Sequence, residues 1–70
     1  MELYNNRIRV RELLRNPAAV GVIQREFPGL LNHPMIRMAG GMPLAKIIQM
    51  SRGIVPPEKI ESTLEQLRRI

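Results

Sequence analysis

The sequence predicts an all-α fold, a compact orthogonal bundle of four to five short helices, each opened by an X-Pro step. Three observations carry that prediction. Apolar residues recur at helical spacing in successive segments. Four of the six prolines stand where such segments begin, and proline suits a first helical residue because its φ is preset and the amide it lacks would be unpaired there. Finally, the only alternation of polar and apolar side chains is Arg7-Ile8-Arg9-Val10, four residues and too little for a strand of its own.

Taken in order, residues 9–15 form a short first helix with Val10, Leu13 and Leu14 on one face. Asn16-Pro17 opens a second over residues 17–26, because Asn16 can cap the amides that follow; Ala19, Val22, Ile23 and Phe27 form its apolar stripe. Pro28-Gly29 is a turn, and Leu30-Leu31 adds a single turn before His33-Pro34. A very short third helix from Pro34 holds Met35, Ile36, Met38 and Ala39, and Gly40-Gly41 ends it through a left-handed glycine cap. Met42-Pro43 opens a fourth, Pro43 to Ser51, with Leu44, Ile47 and Ile48 inward. Arg52-Gly53 closes it, and Ile54-Val55 is an extended connector that plugs the core. Pro57 to Arg69 is the longest helix: Ile60, Leu64 and Leu67 make its stripe, Glu58 and Glu61 sit near its start and Arg68 and Arg69 at its end, in the sense the helix dipole favours. The expected core is Leu13, Leu14, Val22, Ile23, Phe27, Leu31, Met35, Leu44, Ile47, Ile48, Ile60, Leu64 and Leu67. Residues 1–8, mostly polar, are expected to be a flexible N-terminal segment, and residues 9–70 a single small helical domain.

Seventy residues suffice for one domain and not for two. A chain this small is marginal alone, so a partner surface, a second copy or a larger parent chain is expected to help hold it. With no cysteine, no aspartate and His33 as the only histidine, disulfides and thiolate sites are excluded and a multidentate metal site cannot be assembled; no cofactor is expected. No apolar run approaches the length of a membrane span, so no membrane partner is expected, and Met1 to Asn6 carries no secretory leader. For a complete chain the expected compartment is the cytoplasm; for a piece of a longer protein it is open.

Catalysis requires convergent groups. His33 precedes a proline in a turn with no aspartate to orient it, Ser51, Ser62 and Thr63 lack a neighbouring base, and Glu58, Glu61 and Glu65 line a solvated face. No catalytic residue and no metal ligand is assigned, and the chain is expected not to be an enzyme. Gly40-Gly41 with Pro43 and Lys46 is the one candidate anion cradle; the Walker spacing is absent, and a plain helix break is the favoured reading.

Two surfaces remain. Met35, Met38, Met42 and Met50 cluster about the Gly-Gly break, and flexible thioethers suit adaptable apolar contacts; Met35, Met38 and Met42 are the candidate protein-interaction residues. The net charge of +5 arises from nine arginines and two lysines against six glutamates. Arg7, Arg9, Arg11 and Arg15 form one basic cluster and Arg68 and Arg69 another, and these six are the candidate anion contacts. Residues 44–67 read loosely as helix-turn-helix, but the connector is long, Glu58 and Glu61 stand at the start of the would-be reading helix, and no base-reading side chain occupies its first turn. Nucleic acid is therefore the less favoured partner, behind another protein, a parent-chain domain or a second copy.

Two resemblances bear on this. The series Val-Arg-Glu-Leu-Leu-Arg-Asn-Pro-Ala-Ala, Phe-Pro-Gly-Leu-Leu-Asn-His-Pro, Gly-Met-Pro-Leu and Ile-Val-Pro-Pro-Glu-Lys-Ile spans nearly the whole chain. It resembles a small helical accessory module found at the ends of bacterial multidomain carbohydrate-active enzymes such as glycoside hydrolases. The resemblance implies an accessory or packing role and transfers no active site; the near-absence of aromatics argues against a sugar-stacking platform. Residues 16–43 are more weakly similar to the Asn-Pro-punctuated, Met-rich helices of co-chaperone client-binding modules, without their Gln-rich character or repeated Met-Leu pairs. The function expected from all of this is a non-catalytic helical protein-interaction or domain-packing module, with a small basic nucleic-acid-binding protein as the alternative.

Overall fold

A computed structural model describes residues 1–70. Five α-helices and one 3-10 turn follow in order, with no strand: α1 (Val10–Leu13), α2 (Pro17–Glu26), a 3-10 turn (Leu30–Asn32), α3 (Pro34–Met38), α4 (Leu44–Ser51) and α5 (Pro57–Arg69). The all-α prediction holds. The Cα radius of gyration is 11.0 Å, against about 11 Å for a close-packed chain of this length.

Most helix starts follow the chemistry read from the sequence. Asn16 is extended, and its side-chain oxygen accepts from the amides of Ala18 at 2.9 Å and Ala19 at 3.4 Å. At α3 the cap is the His33 ring, whose Nδ1 accepts from the Met35 amide at 3.2 Å. Pro17, Pro34 and Pro57 all occupy the first helical turn. Two starts depart from the X-Pro rule. α1 has no proline and spans a single turn rather than residues 9–15. Pro43 is not the first residue of α4 but its extended cap, at ψ 149°.

The reason lies in the N-terminal segment, where the sequence reading needs correction. Residues 1–8 are packed into the domain: Leu3 and Ile8 belong to the buried core, and Met1 packs against it. Within the alternation Arg7-Ile8-Arg9-Val10, Arg9 is extended and pairs antiparallel with the loop before α4, opposite Pro43, while Val10 already begins α1. The Val10 amide donates to the Met42 carbonyl and the Arg11 amide to that of Gly40, each at 2.9 Å. In return the Leu44 and Ala45 amides donate to Ile8 and Asn6 at 2.8 and 2.7 Å. The start of α4 is thus capped by backbone from the other end of the chain, and Pro43 is held extended by that pairing.

The core lies chiefly between α2 and α5, with the 3-10 turn bridging α2 and α3. Leu13, Val22, Ile23, Leu44, Leu64 and Leu67 are buried as expected. Leu14, Phe27, Leu31, Ile47, Ile48 and Ile60 are half-buried. Met35 is exposed, not core, and Ile54, expected to plug the core, is 82% exposed. Both changes follow from element length: a five-residue α3 covers little more than Ala39 and Ile36, and the turn at Gly53 throws Ile54 outward while Val55 folds back. Left-handed glycine conformations occur at Gly29 and Gly53, both with φ 85°. Gly40 and Gly41 do not adopt one, so the end of α3 is not the expected glycine cap; its Ala39 amide instead donates to Met35 and Ile36.

Candidate interaction site

The inward faces of the helices do not close completely on one another. A half-open groove of about 160 Å³ runs between them. Ile23 and Phe27 of α2 form one side, Ile60, Leu64 and Leu67 of α5 the second, and Leu44, Ile47 and Ile48 of α4 the third. Leu30, Leu31 and Ile36 close one end and Val55 sits at the α4–α5 connector. The only polar lining residues are Ser51 and Thr63. Their hydroxyls donate to the Ile47 and Lys59 carbonyls one helical turn back, at 2.9 and 2.8 Å. Neither hydroxyl has a proton left to donate and the lining carries no charge, so the groove chiefly suits apolar atoms.

Several large apolar side chains are also exposed at chain positions close to the lining residues. Leu30 both lines the groove and is exposed. Exposed Met35 precedes the lining residue Ile36, exposed Met50 precedes Ser51, and exposed Ile54 precedes Val55. Met38, on the same short helix as Ile36, is 86% exposed. Of the seven large hydrophobics that the fold leaves exposed, only Tyr4 and Ile70 lie away from this half of the chain.

The candidate Met triad is thus divided. Met35 and Met38 are at the surface as an interaction role requires; Met42 is half-buried, and its carbonyl receives the Val10 amide. Leu30, Met50 and Ile54, outside the assigned triad, are exposed as well. Their signal in the sequence was ambiguous, because an apolar residue in a short helix reads equally as core.

All six candidate arginines are exposed. The Arg9 guanidinium donates to the Gly41 carbonyl at 2.9 Å, and Arg68 and Arg69 both pair with Glu65, at 3.8 and 2.9 Å. Arg7, Arg11 and Arg15 make no ion pair. The two ends of the chain meet, since the Met1 ammonium donates to the carbonyls of Leu67 at 2.8 Å and Arg68 at 3.1 Å, and also to that of Ile70. The Gly40-Gly41 step forms no anion cradle: the Leu44 and Ala45 amides that would face an anion are bonded to Ile8 and Asn6. No three His or Glu side chains come together in metal-binding geometry, and no helix is long and apolar enough to cross a membrane.

No family model, curated protein or solved structure matches the chain.

Proposed function

We propose that this chain is a non-catalytic helical module that packs against another protein surface, as an interaction domain or as the accessory end-domain of a larger protein. The observation that carries the reading is the apolar groove with exposed Leu30 in its wall, together with the large apolar side chains of Met35, Met38, Met50 and Ile54 left exposed at chain positions close to lining residues. Exposed apolar surface on so small a domain marks a contact site, because exposing it to water costs free energy that a partner recovers. Exposed thioethers let the surface adapt to the shape it meets. The order of turn and core signals along the chain, similar to that of end-modules in multidomain enzymes, supports the domain-packing form of the proposal.

The test is selection of protein ligands from a displayed library of genomic fragments, followed by challenge with the double variant Met38→Glu/Ile54→Glu. Both side chains are exposed, so helicity and thermal midpoint should be retained while ligand binding falls at least tenfold. Failure to recover any protein ligand, or a ligand indifferent to the double variant, would overturn the proposal. Nucleic acid is the second reading, favoured by the unpaired Arg7, Arg11 and Arg15. It requires affinity to fall steeply with salt, as phosphate contacts release counterions, whereas an apolar contact changes little.

A further inference from the structure

The interior of the groove is separable from the exposed methionines. An apolar cavity of about 150 Å³ lined by Leu, Ile and Phe stays dry and takes up benzene, because nothing in its wall holds water. The groove here has nearly that volume, about 160 Å³, and the same kinds of wall. Its two hydroxyl protons are already given to carbonyls of their own helices, so a water inside would find only these two oxygens as partners, both acceptors, the lower end of the 2–4 it needs.

A cation stands against one wall residue of this space without itself lining it. The Phe27 ring forms part of the lining, and the Lys59 ammonium lies 5.0 Å from its centroid. Lys59 has no carboxylate partner: both ion pairs of the chain belong to Glu65. Glu58 and Glu61, one and two residues away, do not share its helix face, and Glu26 accepts from Gln66 Nε2 at 2.5 Å. No carboxylate lines the groove.

We propose that the groove binds a small anionic amphiphile, a carboxylate with a chain of about six to eight carbons, with the chain in the cavity and the carboxylate against Lys59. This occupant fits both halves of the observation: an interior that chiefly suits apolar atoms, and an unpaired cation against one of its wall residues. Both readings use the apolar groove, but the ligand would occupy its interior whereas the protein contact is tested at the exposed Met38 and Ile54.

The test titrates octanoate, and separately 1-octanol, into the full chain, followed by amide chemical shifts in solution. Both should move the amides of Ile23, Ile47, Ile60 and Leu64. Lys59→Gln should weaken octanoate about three- to five-fold, the worth of one partly exposed charge contact, and leave octanol unchanged. Val55→Phe, which fills the cavity, should abolish both; should that variant unfold, Lys59→Gln alone decides. Absence of binding by either ligand, shifts confined to Met35, Met38 and Ile54, or an octanoate affinity unaltered by Lys59→Gln would each overturn the proposal. Met38→Glu/Ile54→Glu should leave octanoate binding intact, so this inference and the protein-contact reading can fail separately.

Discussion

Tyr4, Asn5 and Asn6 hold three consecutive left-handed backbone conformations, with φ of 52°, 57° and 67°. An ordinary L-residue meets its own Cβ clash there, at about 1–2 kcal/mol, and asparagine suffers least. The turn brings the Ile8 amide back to the Leu3 carbonyl at 3.1 Å, which places both side chains in the core. Asn5→Ala and Asn6→Ala should therefore each destabilise the domain by about 1 kcal/mol in urea denaturation, while glycine at either position is neutral or stabilising. Burial sets the other extreme. Leu67 is the most enclosed large side chain at 2% exposure, and Leu67→Ala should cost about 2–5 kcal/mol, enough to unfold a domain this small. At this scale the sequence was legible wherever a side chain belonged to a long stripe, as Leu64 and Leu67 do. It was not legible for Leu3, an isolated apolar residue among polar ones whose burial depends on a left-handed turn that Tyr4 gives no reason to expect.

The helices that read most clearly are those whose signals are local. Asn16 before Pro17 and the apolar stripe of Pro57–Arg69 specify their elements without help from elsewhere. Asn16→Ala should remove about 1 kcal/mol of stability, seen as a lower denaturation midpoint. α4 is the opposite case. No side chain caps it, and its first amides reach the Ile8 and Asn6 carbonyls across the molecule. Deleting residues 1–8 should therefore unfold the rest, with loss of the helical circular dichroism signal, rather than trim a loose tail. The four-residue alternation at Arg7–Val10 was the one sign of this pairing, and it was too short to outweigh the helical pattern around it. Glycines divide on the same principle. Gly53→Ala should destabilise because its φ of 85° is strained for any other residue. Gly41→Ala should be tolerated, since its backbone is ordinary and nothing lies within 4 Å of an added Cβ.

For the whole molecule the decisive feature is incomplete closure. Twelve of seventy residues are buried, and α4 presents Ile47 and Ile48 half-covered toward a groove instead of a filled core. Sequence periodicity locates apolar faces but carries no information on whether facing residues meet. That is why the candidate contact residues could be named as a Met cluster while the groove behind them could not. On the proposed function, the Met35–Ile54 stretch is where another surface would complete the fold. Hydrogen–deuterium exchange on the chain, free and bound to a selected protein ligand, tests this most directly. Slowed exchange over residues 30–38 and 47–55 is the expected footprint; protection over residues 7–15 and 68–70 alone would contradict it and move the contact to the arginines.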